Sequence, residues 1–136
     1  MQLNPYLIFN GQCEAAFQFY AQCLDGKITF MTTYAGTPVE QQVPAEWRGK
    51  LLHATLMVGN QVLMGADCPT DRYQTPQGFS VTIAVRDPVE ADRIFNALAE
   101  NGKITMPIQA TFWSPRFGML VDRFGIPWMI NCEQAA

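Results

Sequence analysis

A chain of 136 residues with 49% hydrophobic residues has enough apolar material to fill one core, the size of one ordinary domain rather than two. Its formal charge of −3 arises from acids and bases mixed along the chain, so no basic stripe for nucleic acid and no polybasic patch for a membrane surface is present. Met1-Gln2-Leu3-Asn4-Pro5 lacks a basic region followed by a long apolar one, and no run approaches the ~18 apolar residues of a membrane span, so a cytoplasmic location is expected.

The first element is an apolar strand, Tyr6-Leu7-Ile8-Phe9. The spacing of Cys13, Ala16, Phe17, Tyr20, Cys23 and Leu24 follows i, i+3, i+4, i+7 and predicts a helix, with Gly26 as its left-handed stop. A second strand runs from Lys27 to about Tyr34. The polar stretch 35–50 carries Thr37-Pro38, Val43-Pro44 and Trp47, and is too long for a tight turn. Trp47 needs a surface to cover, so this segment is expected to lid a cleft, reach a second copy, or cover its own sheet. Residues 51–58 and 62–64 then form a hairpin turning at Gly59-Asn60.

The same order follows again. Residues 79–85 read as a strand, and Asp87-Pro88-Val89-Glu90 supplies an N-cap, a proline at the first helical position and a capping-box acid. Ala91, Ile94, Phe95 and Leu98 form the buried face of that helix, and Asn101-Gly102 stops it. The strand 103–109 follows, then a hairpin of 117–121 and 128–132 around Phe124-Gly125.

The chain repeats itself in letters as well as in pattern. Eight of the sixteen positions in 14–29 match those 76 residues later, including Gly26-Lys27-Ile28-Thr29 against Gly102-Lys103-Ile104-Thr105. The expected fold is α+β: one domain, 1–136, of two βαβββ units, about 3–67 and 78–133, sharing a core and enclosing a pocket. Aligning Gly59 with Gly125 places ten extra residues of the first unit in 35–50. Alternation assigns Phe79, Val81, Ile83 and Val85 to a helix-covered face and Ser80, Thr82 and Ala84 to the other. It likewise sets Leu52, Ala54, Leu56 and Val58 against His53, Thr55 and Met57, so mixed sheets with helices outside are expected to curl around a ligand.

Cys13, Cys23, Cys68 and Cys132 show no C-x-x-C spacing and read as thiols in the core. Cys13 also lies where a helix dipole would lower a thiol pKa, but its apolar spacing favours packing. With His53 as the only histidine, no multi-histidine metal site can be assembled. His53 is the candidate general base, against the plainer reading of a histidine tied to a neighbouring strand. Arg116 is a candidate for an acidic ligand group, against a solvated surface charge or part of a dimer contact. Phe112, Trp113 and Trp128 are candidates for stacking or packing. Asp67 and Asp122 read as turn acids.

Several stretches resemble one family. They are Pro5-Tyr6-Leu7-Ile8-Phe9-Asn10-Gly11-Gln12-Cys13-Glu14-Ala15-Ala16-Phe17, Phe19-Tyr20, Leu52-His53-Ala54, Val62-Leu63-Met64, Phe112-Trp113-Ser114-Pro115-Arg116-Phe117-Gly118 and Asp122-Arg123-Phe124-Gly125-Ile126-Pro127-Trp128. In this order they are similar to the vicinal oxygen chelate superfamily, which includes glyoxalase I, extradiol dioxygenases and fosfomycin- and bleomycin-resistance proteins, and within it to the PhnB-like group. Members of that group are often labelled 3-demethylubiquinone-9 3-methyltransferase; no glycine-rich βα turn of the kind that holds a nucleotide-like cofactor accompanies the label here.

The resemblance implies a homodimer in which 35–50 reaches the second copy. It also implies metal ligands on the first and fourth strands of each unit. Those positions offer Asn4 or Pro5 with 62–65, and Ser80 with Met129, which supply no carboxylate or imidazole. The expectation is therefore a small-molecule-binding protein with no metal and no cofactor. Its ligand contacts would be Thr55, Ser80, Thr82, Phe112, Trp113, Arg116, Met129 and Asn131. The alternative is a metal-independent isomerase or lyase with His53 as base. A metalloenzyme would have to recruit residues such as Glu133 or Cys132.

Overall fold

The letters that repeat most closely mark where each helix hands over to its next strand, and the computed structural model, which describes residues 1–134, shows why. Helix α1 (Cys13–Leu24) ends on Asp25, which takes the left-handed conformation with φ 53°. Gly26 follows, and a Cβ there would lie 2.9 Å from the Met57 carbonyl oxygen. Helix α2 (Pro88–Ala99) is followed by Asn101 at φ 58°, and a Cβ on Gly102 would lie 2.6 Å from the Val121 carbonyl oxygen. The left-handed residue is thus Asp25 and not Gly26 as expected. Asp and Asn tolerate that conformation, and the glycine is needed for close passage over a neighbouring strand.

The chain divides into two units, Met1–Gln74 and a second beginning at Thr75. Unit one contains β1 (Tyr6–Phe9), α1, β2 (Lys27–Thr33), β3 (Leu51–Val58) and β4 (Gln61–Asp67), with short 3-10 turns at Glu40–Gln42 and Ala45–Trp47. Its sheet has the order β1-β4-β3-β2, with β1 parallel to β4 and the other pairs antiparallel. Unit two contains β5 (Val81–Val85), α2, β6 (Lys103–Gln109), β7 (Phe117–Val121) and β8 (Pro127–Cys132). The order β5-β8-β7-β6 and the parallel β5–β8 pair repeat unit one. Two mixed four-stranded sheets, each with one helix, make the expected βαβββ repeat a property of the structure. Among the described residues, no helix is long and apolar enough to cross a membrane.

Each helix packs one apolar stripe on its own sheet. Cys13, Ala16, Phe17, Tyr20 and Cys23 are buried, and Phe17 meets Phe9 edge to face with ring centroids 6.1 Å apart. A phenyl ring buried in this way contributes roughly 1.5–3 kcal/mol of transfer free energy. In unit two Ala91, Ile94, Phe95 and Leu98 are buried. Asp87 caps α2 by accepting from the Val89 amide at 3.0 Å, and Pro88 follows at the first helical position. Glu90 turns its carboxylate to Arg93 at 2.7 Å.

Strand β3 breaks its own alternation. The ladder pairs Thr32 with His53 but Thr33 with Leu51, so Leu52 is an extra residue bulged from the strand. Leu51, 2% exposed, therefore joins Ala54 and Leu56 in the core, while Leu52 turns to the side of Tyr6 and Ile8. The expected assignment of Leu52 to the helix face fails because of this single residue. In β5 the alternation holds: Val81, Ile83 and Val85 pair with buried Trp128, Ile130 and Cys132. The strand begins at Val81, leaving Phe79 and Ser80 ahead of it.

Candidate functional site

Strands β1, β4 and β3 bring together three side chains that are far apart in sequence. Leu7 and Phe9 point into the core, which turns Tyr6 and Ile8 to the other face of the sheet. Tyr6 is level with Met64 on β4, and Met64 with Thr55 on β3. His53 lies two residues along on the same face. Its Nδ1 is 3.0 Å from the Tyr6 hydroxyl and its Nε2 is 2.9 Å from Thr55 Oγ1. A neutral imidazole donates from one nitrogen and accepts at the other, and each hydroxyl can take the complementary role. Tyr6 and Phe30 also flank the ring, with centroids 5.6 and 5.9 Å away. Burial raises the pKa of Tyr6, with Cys13 and Tyr34 adding to the effect, so its hydroxyl stays protonated.

A pocket of about 330 Å³ opens beside this group, wholly within unit one. Tyr6, Ile8 and Leu52 from the strands line it, together with Val39 and Val43 from the segment after β2 and Arg72 from the segment after β4. The segment after β2 is clamped at its ends: the Tyr34 amide donates to the Lys50 carbonyl and the Ala35 amide to that of Arg48. Val43 is buried, and the Trp47 ring lies over Gly11, whose missing Cβ would stand 3.3 Å from it. Trp47 thus covers its own unit.

Asp67 also lines the pocket. Its Oδ1 accepts from the Cys13 amide and its Oδ2 from the Leu51 amide, both at 2.9 Å, while its carbonyl accepts from the Tyr34 hydroxyl at 2.6 Å. Burial raises its pKa, and the backbone hydrogen bonds work against that rise. Asp67 is therefore a junction between β4, α1 and β3 rather than the turn acid the sequence implies. The Cys13 thiol is fully buried, and burial followed by the charge of Asp67 pushes its pKa well above the usual thiol value. That opposes a nucleophilic role despite its place in the first helical turn. The four cysteines are free thiols, with Cys68 the partly exposed one.

In unit two, Thr82 and Met129 are register neighbours, with the Thr82 hydroxyl donating to the Met129 sulfur at 3.8 Å. Asn131, beside them, buries its Oδ1 without a hydrogen-bond partner. Trp113 lies edge to face on Phe117 at 5.3 Å and on Phe112 at 4.8 Å, Phe112 itself being 93% exposed. Arg116 donates to Asp92 at 2.8 Å, which ties the loop before β7 to α2. Trp128 is 1% exposed and donates to Asp122, whose other oxygen accepts from the Phe124 and Ile126 amides. Ser114, not singled out from sequence, is fully buried and donates to the Cys132 carbonyl at 2.6 Å. Glu133 faces Arg86 at 4.0 Å.

The register sets Tyr6 beside Met64 and Thr82 beside Met129 where first and fourth strands meet. Phenol, thioether and hydroxyl do not fit a hard or borderline divalent ion, and His53 is occupied at both nitrogens. Among the described residues no three His, Cys, Asp or Glu side chains gather as a ligand set.

The family described as 3-demethylubiquinone-9 3-methyltransferase matches residues 1–131. The chain belongs to this family. Protein YjdN of Escherichia coli K12 is 32% identical over 139 residues, covering 96% of this chain and 95% of that protein. Protein PA1353 from Pseudomonas aeruginosa is 45% identical with a TM-score of 0.90, each chain covered to 99%. A PhnB protein from Bacillus cereus, described as a putative 3-demethylubiquinone-9 3-methyltransferase, is 26% identical with a TM-score of 0.81, covering 99% of this chain and 100% of that one. The fold alone is shared with a glyoxylase/bleomycin resistance protein/dioxygenase domain from Frankia sp. EAN1pec, at 13% identity, TM-score 0.66 and coverage of 98% and 97%. The family and the PhnB relative agree with the PhnB-like resemblance of the sequence motifs, and the likeness to the glyoxalase/bleomycin-resistance type is one of fold.

Proposed function

We propose that this protein binds a small organic molecule without a metal, in the pocket of unit one beside His53. The observation that carries the reading is the pocket itself, about 330 Å³, with apolar and aromatic walls and few polar groups. That volume is at the small end of the ~300–1,000 Å³ of ordinary ligand sites. Tyr6 belongs both to the pocket and to the His53 pair, so a bound molecule would touch a hydroxyl already oriented by the imidazole. Within unit two, taken by itself, Thr82, Met129, Asn131 and Trp113 are proposed as ligand contacts, supported by the unpartnered Asn131 oxygen. Ser80 and Phe112 lie ahead of β5 and at an exposed loop tip, and Arg116 is engaged by Asp92, so these three have less support.

A second reading is a metal-independent isomerase or lyase in which His53 moves a proton. The Tyr6–His53–Thr55 chain favours it, since a hydroxyl on each nitrogen holds the ring and gives a proton somewhere to go. We also propose a homodimer, supported by the apolar side chains of Phe30, Phe79 and Ile104 left exposed in a single chain outside that pocket.

Native mass spectrometry of the purified protein tests the first reading. A bound small molecule, retained unchanged on prolonged incubation and bound more weakly by His53→Ala, supports it. Conversion that disappears in His53→Ala replaces it with the second reading. A stoichiometric transition metal would overturn both.

A further inference from the structure

We infer that the molecule held in unit one is an anion, with a carboxylate set against Arg72 and an apolar body lying on Ile8, Leu52 and Val43. The inference rests on the proposed binding role of this pocket and deepens it. Five of the six arginines are already matched: Arg48 with Glu40, Arg86 with Glu133, Arg93 with Glu90, Arg116 with Asp92 and Arg123 with Glu100. Among the described residues Arg72 alone has no carboxylate within 4 Å, and it is the arginine that lines the pocket. The pocket's own carboxylate, Asp67, makes no ion pair with it and instead accepts from the Cys13 and Leu51 amides.

The segment carrying Arg72 is held in place. Its amide donates to the Pro69 carbonyl at 2.9 Å, the Cys68 amide donates to the Phe9 carbonyl at 2.8 Å, and Thr70 donates to Asn10 at 2.9 Å. A turn fastened to the end of β1 at these points holds the Arg72 backbone beside the pocket, from which its exposed side chain extends. Gln42 lines the pocket as well, and its side-chain amide offers an uncharged donor that suits a carboxylate oxygen, whereas the Tyr34 hydroxyl is already given to the Asp67 carbonyl. A planar guanidinium recognises a planar carboxylate through two parallel hydrogen bonds, whereas an amide of the same shape can accept only one.

The probes are 4-phenylbutanoate and its uncharged primary amide, titrated into the intact protein by calorimetry and by backbone amide NMR. The acid is expected to bind at least about tenfold more tightly than the amide, with shifts centred on Leu52, Cys68 and Tyr34. In Arg72→Gln the acid should fall to the amide's affinity while the amide is unchanged. Equal affinities in the native chain, or a preference that survives Arg72→Gln, would overturn the anion and leave the pocket reading intact. If neither probe shifts the pocket amides, the anion and the binding pocket fall together.

Discussion

The hydroxyl of Tyr6 lies 3.0 Å from Nδ1 of His53 although a whole strand, β4, runs between the strands that carry them. Two strand spacings separate the backbones by about 10 Å. A tyrosine spans that gap only from the face it shares with His53, and the register of Tyr6 with Met64 and Met64 with Thr55 puts it there. The contact thus reports both the parallel β1–β4 pairing and the antiparallel β3–β4 pairing. It also fixes the imidazole from one side while Thr55 holds the other.

Replacing Tyr6 by Phe keeps the ring against His53 and removes one hydrogen bond. The loss of stability in urea should be about 1 kcal/mol or less, since the pair is open to solvent. Imidazole nitrogen NMR should show the larger effect, a changed ratio of the two neutral tautomers. Identical nitrogen shifts in the variant would mean that the Tyr6 hydroxyl does not orient the ring.

Asp67 predicts a pH dependence of stability. Its pKa is raised in the folded state, chiefly by burial. The folded chain therefore binds its proton more readily than the unfolded chain, so this residue's contribution is fully present below the unfolded carboxylate value and is lost as pH rises through the folded one. Asp67→Asn should remain destabilising by about 1–3 kcal/mol, because the side-chain amide cannot accept from both the Cys13 and Leu51 amides. The gap between native and variant stability should narrow as pH rises across that interval. A gap that widens instead would show that the backbone hydrogen bonds outweigh burial.

Element order was legible in the sequence because it rests on local periods: the apolar stripe of Cys13, Ala16, Phe17 and Tyr20, the alternation in β5, and the Asp87-Pro88 start of α2. Features that depend on distant chain segments were not. Leu52 leaves the alternation only because β2 pairs on either side of it, with His53 and with Leu51. The same ladders pair Ile28 with Leu56 and Ile104 with Leu120, which sets the excess of unit one at twelve residues rather than ten, since the hairpin glycines sit in turns of unequal length. Nor could the sequence show that Arg116 meets Asp92, that Tyr6 meets His53, or that Arg72 joins Tyr6 and Val43 around one pocket. His53 itself stood out as the single histidine on a strand, and Tyr6 could have been paired with it by supposing a parallel first strand.

Thiol chemistry separates the pocket from the core. Cys68 lines the pocket and is partly exposed, whereas Cys13, Cys23 and Cys132 are buried, Cys13 with its pKa pushed well up by burial. Iodoacetamide applied to the native protein near pH 8 should label Cys68 and leave the others until denaturant is added. Peptide mass spectrometry gives the answer directly. Early labelling of Cys13 would place its thiol in solvent and contradict the packing of α1 on the sheet.

In each unit a helix phenylalanine rests where a strand has no side chain. A Cβ on Gly65 would stand 2.8 Å from both the Leu7 carbonyl oxygen and Phe17 Cε1. One on Gly118 would stand 2.7 Å from Phe95 Cε2 and 2.9 Å from the Ile108 Cα. Backbone atoms at such distances cannot rotate away, so Gly65→Ala and Gly118→Ala must shift a strand or lift the helix, at a cost of roughly 1–3 kcal/mol each. Gly49 provides the contrast, with nothing within 4 Å and no positive φ. Gly49→Ala should be neutral or stabilise by up to about 1 kcal/mol through the unfolded chain. Because Gly65 pairs with Leu7 between β1 and β4, Gly65→Ala should also disturb the neighbouring Tyr6–His53 contact and weaken ligand binding, whereas Gly118→Ala lowers stability without touching the unit-one pocket. Denaturation midpoints and probe affinities measured on the same three variants check the separation, and equal affinity losses in Gly65→Ala and Gly118→Ala would refute it.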